Sequence, residues 1–237
     1  MAGTSGGQEK STASTVPQSG PQPRTARGQQ TRDKLLVAAR EVFETKGYVE
    51  ARVTDICDEA GLANGTFYLY FQSKDEIFYT LVDTVVADRY LLTAVPEDFE
   101  GSVADRFAYT LRQYFAAIQR NRKFSRIIEQ VATLDERMRE NRMAIRRTFR
   151  ERIQHGIESL QRHGAADPTI SAELTAEAIV SMVSNFAYIN LSLGAREDLD
   201  IEQAVATLTS IWQRALALDV EKADANDVKQ ASRRRRA

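Results

Sequence analysis

Apolar residues recur at intervals of three and four along most of this chain, and this spacing constrains the fold more than any other feature. Leu35, Ala39 and Val42 lie on the first such stripe, which predicts an amphipathic helix of about 16 residues that stops at Gly47. The same spacing continues as far as Leu216, and no alternation of apolar and polar residues is long enough for a strand. The sequence therefore predicts an all-α fold.

The two ends of the chain depart from this pattern. Residues 1–27 are rich in Gly, Ser, Thr, Gln and Pro, and such a composition buries too little apolar surface to fold, so we expect a disordered tail. Residues 222–237 finish in four arginines and are expected to form a disordered basic tail. Pro96 lies at the best break between helices, which divides the rest into domains over 28–95 and 96–221.

Composition excludes several classes of protein. A lone cysteine, Cys57, rules out an internal disulfide and a multi-thiolate metal site, and two histidines, His155 and His163, are too few for a common zinc site. We therefore expect no metal and no cofactor. No apolar run reaches the roughly 20 residues that span a bilayer, and the first 30 residues lack the apolar core of a secretory signal, so we expect a cytoplasmic protein without membrane contact.

Two short helices that meet at a glycine form the most informative segment. Val53–Ala60 and Asn64–Phe71 are separated by a turn at Gly61, which is the arrangement of a helix-turn-helix motif. If Ile56, Ala60, Leu62, Phe67 and Phe71 face inward, the residues left on the outside are Asn64, Gly65, Thr66, Tyr68, Leu69 and Tyr70.

Hydroxyls and an amide at a helix N-terminus suit DNA groove and phosphate contacts. Gly65 would let the backbone approach the duplex, and Lys74 lies where it could meet a phosphate. The alternative is that Tyr68 and Tyr70 are packed aromatic residues. The net charge of −1 does not decide between these readings.

Several separated motifs together resemble the TetR family of bacterial transcriptional regulators. The resemblance covers about 50 residues, from Thr31 to Leu81, in order and without gaps. The motifs that carry it are Gly47-Tyr48, Val53-Thr54-Asp55-Ile56, Ala60-Gly61-Leu62, Gly65-Thr66-Phe67-Tyr68-Leu69-Tyr70-Phe71 and Ser73-Lys74.

The resemblance implies a homodimer whose two recognition helices enter successive major grooves of a palindromic operator. By position, Thr66, Tyr70 and Lys74 would hold phosphates, while Tyr68 and Leu69 would approach base edges. It also implies a one-component repressor, released by a small hydrophobic effector that binds the larger helical domain.

The chain departs from the family pattern at two helix starts. The family usually has Ser or Thr as the N-cap of both short helices, whereas Arg52 and Ala63 stand at these positions. Losing such a cap costs about 1 kcal/mol, which a packed helix survives. Arg52 is also a candidate phosphate contact. Ahead of the motif, Arg24, Arg27 and Arg32 could reach the adjacent minor groove as a basic arm, or remain solvated.

The second domain is expected to carry both the dimer contact and the effector pocket. The last two predicted helices are the dimer candidates, because the one from Ser171 to Leu193 is apolar almost all round. We expect the pocket among helices that contain large apolar residues, and the candidate lining is Phe107, Leu111, Phe115, Ile127, Val131, Phe149, Met182 and Phe186.

One helix of the second domain is strongly basic. Its arginines form either a solvated face or a binding surface for an anionic ligand such as a coenzyme A ester, and the residues concerned are Arg139, Arg142, Arg146, Arg147, Arg150 and Arg152. An enzyme and a scaffolding protein without DNA binding are the competing functions. We expect no enzyme, because the sequence has no phosphate-binding loop, nucleophile elbow or HExxH motif.

Overall fold

The chain folds into α-helices, as its periodicity predicts. The structure is a computed structural model that describes residues 25–96 and 98–224. Helices and turns, and no strand, are present in these two ranges. The helices are α1 (Ala26–Glu50), α2 (Val53–Ala60), α3 (Asn64–Phe67), α4 (Lys74–Leu92), α5 (Val103–Arg120), α6 (Arg122–Leu134), α7 (Glu136–Arg162), α8 (Ala172–Ala187) and α9 (Ile201–Ala215), with a π-helical turn (Tyr188–Ser192) after α8.

Helix α1 begins before the position that the sequence predicts. Thr25 is its N-cap and accepts a hydrogen bond from the Gly28 amide at 3.1 Å, so residues 26–27 are helical and do not belong to a tail. At the other end Gly47 has φ 77°, which interrupts the helix where the sequence predicts its end. The predicted disorder of residues 1–24 and 225–237 lies outside the described residues, whereas 222–224 belong to a short helical turn over 220–224.

Two other helices differ in length from the prediction. The helix predicted over 64–71 ends at Phe67, and tighter turns follow, in which Tyr70 N–H donates to the Phe67 carbonyl at 2.9 Å. Gly65 and the aromatic residues after it have weak helix propensity, which favours this early end. The helix predicted as far as Leu193 changes at Tyr188 into a π-helical turn, closed by a 2.9 Å bond between Leu193 N–H and the Tyr188 carbonyl.

The first hydrophobic core unites α1 to α4 with α6. Phe78 of α4 lies at its centre, with its ring centroid 5.3 Å from that of Phe43 on α1 and 5.6 Å from that of Phe124 on α6. A hydrogen bond of 2.8 Å from Arg40 to the side chain of Asn121, the N-cap residue of α6, joins α1 to the start of α6. The chain does break between α4 and α5, but α6, which follows the break, shares the core of the helices that precede it.

Two further cores stabilise the rest of the chain. Leu111 and Phe115 of α5 pack with Val205 of α9 and with residues of α8 and the π-helical turn. Ile157 of α7 packs with Trp212 of α9 and with the start of α8. No helix in the described ranges is long and apolar enough to cross a bilayer.

Candidate functional site

The helix-turn-helix geometry depends on Gly61. This residue ends α2 with φ 60° and ψ 41°, a left-handed conformation that glycine adopts without strain. Its amide donates to the Asp58 carbonyl at 3.1 Å, and the Leu62 amide donates to the Cys57 carbonyl at 2.9 Å. The chain therefore turns sharply and starts α3 three residues later.

The side chains predicted to face inward do so. Ile56 and Phe67 are completely buried, and Ala60 and Phe71 are nearly so, while Leu62 packs partly buried against the same core. The ring centroids of Phe67 and Phe71 are 5.8 Å apart, so these two residues fix the segment after α3 to the core. This anchoring holds the outward face of the motif in one orientation.

Arg52 stands at the N-cap position of α2 without a Ser or Thr hydroxyl, and Asp55 of the same helix compensates for this. The Asp55 carboxylate accepts a hydrogen bond from the Arg52 amide at 2.9 Å, which supplies one half of a capping box. Lys46 lies 2.8 Å from the same carboxylate. Together the Lys46 ammonium and the Arg52 amide hold the pKa of Asp55 below its usual value. The Arg52 side chain itself is exposed.

The eight residues predicted to contact DNA divide into two groups by exposure. Arg52, Asn64, Gly65, Tyr68 and Leu69 are exposed, and Tyr68 and Leu69 keep 59% and 72% of their surface accessible. The other three, Thr66, Tyr70 and Lys74, are half-buried. Tyr68 and Leu69 follow the buried Phe67 and precede the buried Phe71, so the chain presents both side chains on the outer surface of the motif.

Lys74 has a role inside the protein that the sequence does not reveal. Its ammonium donates to the carbonyls of Tyr48, Ala51 and Val49 at 2.7, 2.9 and 3.3 Å, and lies 4.6 Å from the centre of the Tyr48 ring. These carbonyls end α1 and would otherwise lack partners. The Tyr48 hydroxyl in turn bonds to Asp75, and burial together with this carboxylate raises the pKa of Tyr48 above its usual value.

A cavity of about 640 Å³ lies between α4, α5, α7, α8 and α9, and α6 contributes Glu129 to its wall. Its volume is within the range of sites for small molecules. Three of the eight residues predicted to line a pocket, Phe107, Leu111 and Phe149, line this cavity. The Phe107 ring stacks on Trp212 with centroids 4.5 Å apart and planes 9° from parallel, which makes one wall flat and apolar.

The other five predicted pocket residues lie outside this cavity, in the hydrophobic cores. Ile127 and Val131 of α6 are buried in the first core, against the helix-turn-helix unit. Phe115, Met182 and Phe186 belong to the second core, where the rings of Phe115 and Phe186 stack with centroids 5.8 Å apart. Their periodic spacing identifies buried positions, but it does not distinguish a core from a cavity wall.

The cavity also contains charged residues, and some of them belong to the basic helix face for which the sequence allows either solvation or binding of an anionic ligand. Five arginines and one glutamate line it, namely Arg89, Arg106, Arg142, Arg146, Arg152 and Glu129. Three of these arginines come from the basic face of α7, so that face is not simply solvated. The sequence signal was the run of arginines itself, but a helical period alone does not show which of them point inward.

The arginines of the cavity differ in their partners. Arg142 pairs with Glu129 at 2.7 Å, and Arg146 donates to Glu177 at 3.0 Å. Arg152 donates to the Thr93 hydroxyl at 3.1 Å, and its guanidinium lies about 5 Å from the Tyr90 and Phe149 ring centres. Over the described ranges, no carboxylate lies within 4.0 Å of Arg152 or Arg89.

Comparisons with known proteins agree with this geometry. The model of the family described as bacterial regulatory proteins, tetR family, matches residues 35–80, which run from α1 into α4. An uncharacterized HTH-type transcriptional regulator of Bacillus subtilis, YdgC, is 24% identical over 187 residues, which are 77% of this chain and 92% of the relative.

Solved structures are similar over most of the chain. A TetR-like transcriptional regulator from Rhodococcus sp. RHA1 has a TM-score of 0.62 and 24% identity, and the match covers 83% of this chain and 99% of that one. A SmeT–triclosan complex has a TM-score of 0.61 and 17% identity, and covers 79% of this chain and 91% of that one. Structural similarity thus extends well beyond the residues that the family model matches.

Proposed function

Because the chain belongs to the TetR family of bacterial regulatory proteins, we propose that it is a homodimeric repressor that leaves a palindromic operator when a small effector binds. The chain is a helix-turn-helix, DNA-binding transcriptional regulator. To this general function the proposal adds that the protein is a homodimer, that its operator is palindromic, that it represses transcription and that an effector releases it from DNA. We further propose that the protein has no catalytic activity and that it is located in the cytoplasm, where the bacterial chromosome lies.

The exposed segment that follows Asn64 is the observation that carries the proposal. Tyr68 and Leu69 are held outward by buried Phe67 and Phe71, so they can reach base edges in a major groove without disturbing the core. Arg52 and Thr66 flank them as candidates for phosphate contacts. We assign the DNA contacts to Arg52, Asn64, Gly65, Thr66, Tyr68, Leu69 and Tyr70, and we assign Lys74 the task of holding the chain ahead of α2.

Gly65 supports the same assignment. Its φ is not in the left-handed region, and a Cβ atom added there would meet no protein atom within 4 Å. The fold therefore gives no reason for glycine at this position, and glycine weakens a helix by roughly 0.5–1 kcal/mol relative to alanine. Close approach of the α3 backbone to a duplex would explain the choice.

Apolar residues on the last two helices support the dimer. Leu174 of α8 is 71% exposed, and Ile211 of α9 is 45% exposed. Ile189 and Leu193, in and after the π-helical turn, are also accessible. Exposed apolar side chains that recur on the same two helices are candidates for burial against a second chain. The division that we propose gives DNA binding to residues 28–95, and effector binding and dimerisation to residues 96–221.

Helix α4 supports release by an effector. It begins at Lys74, beside the helix-turn-helix motif, and it ends at Leu92, after Arg89 and Tyr90 have contributed to the cavity wall. Its 19 residues span about 28 Å as one continuous helix. A ligand in the cavity can therefore act on the same rigid element that supports the motif. The SmeT–triclosan complex is a precedent for a small molecule bound to a protein of this fold.

Repression follows from sterics. A dimer bound to an operator that overlaps a promoter blocks the polymerase without a further contact surface. A reporter gene under this control is expected to be silent with the protein and active when the effector is added. Reporter expression that rises with the protein alone would instead identify an activator.

Selection of duplexes from a random pool tests DNA binding directly. We expect two inverted half-sites whose centres lie about 10 base pairs, or a multiple of this, apart. Recovery of no sequence above the level of competitor DNA would contradict the proposal. The selected operator then serves for the variants described next.

Replacing Gly65 with alanine separates its structural role from its role at DNA. Gly65→Ala is expected to raise the unfolding free energy by up to about 1 kcal/mol, and to weaken operator binding at least tenfold because the methyl group meets the duplex. Gly156→Ala on α7 is the control, since a Cβ atom there also meets nothing within 4 Å. Because Gly156 lines the cavity, the operator affinities of both variants are compared without an effector. Equal operator affinity of both variants would show that the Gly65 backbone does not approach DNA.

A further inference from the structure

The cavity combines an apolar wall with cations that lack acidic partners. The Phe107–Trp212 stack and aliphatic residues of α7 and α8 form the apolar part. Of the five arginines in the wall, Arg142 and Arg146 are neutralised by Glu129 and Glu177. Arg89 and Arg152 have no carboxylate within ion-pair distance among the described residues, so the wall keeps an excess of positive charge.

Arg152 is the best placed of these cations. Tyr90 and Phe149 flank its guanidinium, and Thr93 and the Tyr90 hydroxyl each accept one of its hydrogen bonds, which leaves further N–H donors among its five for another acceptor. Burial lowers the pKa of Arg152, yet arginine keeps its charge in proteins. A half-buried cation without an anion is costly, and an incoming anion would relieve that cost.

The unsatisfied polar atoms at this site point the same way. Arg89 Nε and Trp212 Nε1 are both buried, both belong to residues in the cavity wall, and neither has a hydrogen-bond partner in the described residues. Both atoms are donors. A ligand that supplies acceptor atoms and no donors is therefore the best complement to this wall.

We propose that the cavity binds an amphipathic organic anion, a hydrophobic body that carries one carboxylate or phosphate group, with the anionic group at Arg152 and Arg89. The apolar body lies against Phe107 and Trp212. The inference rests on the proposed function, because it names the chemical class of the effector that acts at the same cavity.

Arg89 gives the anion a direct connection with the DNA-binding unit. It belongs to α4, and its guanidinium lies 5.7 Å from the centre of the Tyr114 ring on α5. An adjoining cavity of about 300 Å³ shares Arg89 and Tyr114 with the first and extends toward Val82 and Met138 in the first core. An anion that attracts Arg89 therefore pulls on a helix whose other residues hold the motif.

Matched probes test the charge requirement without any substitution. Decanoate, decyl phosphate, the neutral decanamide and the cationic decylamine share one body, and 2-naphthoate with 2-naphthamide repeats the comparison on an aromatic body. We expect calorimetric titration to give at least tenfold tighter binding for an anion than for the neutral molecule of the same body. The better of the two decyl anions identifies the head group. Binding of the amides or the amine as tight as that of the anions would overturn the proposal, and so would the failure of every anion to bind.

Substitutions then locate the anion. Arg152→Met keeps an unbranched apolar stem and removes the charged guanidinium, and it should reduce the anion preference to less than about threefold. Arg147→Met is the control, because Arg147 is an exposed arginine of the same helix outside the cavity wall. Arg89→Met and Arg152→Lys follow if Arg152→Met lowers the thermal stability. An anion preference that survives the loss of both arginines would refute their assignment.

Operator binding, measured on the same samples, keeps the two proposals apart. If the free protein selects no operator but binds anions tenfold better than amides, the regulatory proposal fails and this inference stands. If the protein binds its operator and a neutral compound releases it while anions do not bind, this inference fails and the regulatory proposal stands.

Discussion

Lys74 permits a direct test of whether an ammonium at the start of α4 serves the protein or the DNA. In the structure it donates to the carbonyls of Tyr48 and Ala51 at 2.7 and 2.9 Å, and more weakly to that of Val49. Lys74→Met keeps the aliphatic stem and removes every one of these hydrogen bonds. The matched control is Lys123→Met, at an exposed lysine of α6.

The expected loss of stability follows from these bonds. A hydrogen bond to a charged group contributes about 1.5–3 kcal/mol, and the carbonyls of Tyr48 and Ala51 are partly shielded from water. One ammonium serves all the acceptors, so we expect Lys74→Met to lower the unfolding free energy by about 2–3 kcal/mol. For a chain of this size that corresponds to roughly 4–12 °C in Tm. Lys123→Met should change Tm by much less.

Salt dependence distinguishes the structural role from a phosphate contact. If Lys74 only holds the end of α1, Lys74→Met weakens operator binding but leaves the slope of log K against log salt unchanged. If it reaches a phosphate, the slope falls by about one unit per half-site. An unchanged Tm together with a smaller slope would refute the structural interpretation, since the ammonium would then leave the carbonyls for DNA.

Three further predictions concern the dimer, the N-terminal arm and acid stability. Light scattering should show that Ile211→Asp converts the dimer into a folded monomer. Leu134→Glu, a control at another exposed apolar position, should leave the dimer intact. If both variants are dimers, the interface lies elsewhere. Deletion of 1–24 keeps the Thr25 cap of α1, so stability should not change, and operator affinity should fall most for A·T-rich flanks if a basic arm enters the minor groove. Equal affinity of the shortened and full-length proteins on both kinds of flank would show that residues 1–24, with Arg24, do not contact DNA. Asp135 caps α7, and its pKa is lowered in the folded protein. Its contribution to the free energy of unfolding is therefore present above the pKa of the unfolded chain, about 4, and is lost as the pH falls below that value. Measured by urea unfolding, Asp135→Ala should lower the free energy of unfolding by about 1–2 kcal/mol at pH 7, and the difference from the unaltered protein should shrink toward pH 2. A difference that does not change with pH would show that the charge of this carboxylate contributes nothing.

The helices could be predicted from the sequence because their signals are local. Gly61 and Gly47 both adopt positive φ at the positions where the apolar period stops, and the Ser73 hydroxyl accepts from the Glu76 amide at 3.2 Å as an N-cap. The turns after Phe67 and the π-helical turn at Tyr188 were not predicted, because neither changes the spacing of buried residues enough to be visible.

The cavity was harder to predict because its residues come from distant parts of the chain. Phe107 and Phe115 are both aromatic residues on α5, but the half-buried Phe107 lines the cavity whereas Phe115 is fully buried in a core. Their difference depends on which helix faces them, and no local signal carries that information. Arg152 was visible as one of many arginines, while the lack of an acidic partner became apparent only from its surroundings.

The position of α6 has a consequence for attempts to exchange parts between related regulators. Phe124 and Val131 belong to the same core as Phe43 and Phe78, although they follow the apparent boundary between the two halves. In a chimera joined at that boundary, α6 of the other protein would pack against α1 and α4 of this one. Its side chains would not be complementary to the apolar surface of these two helices. The unit to exchange is therefore the helix-turn-helix motif together with α6. Two junctions, and not one, have to be built to combine this unit with a different cavity.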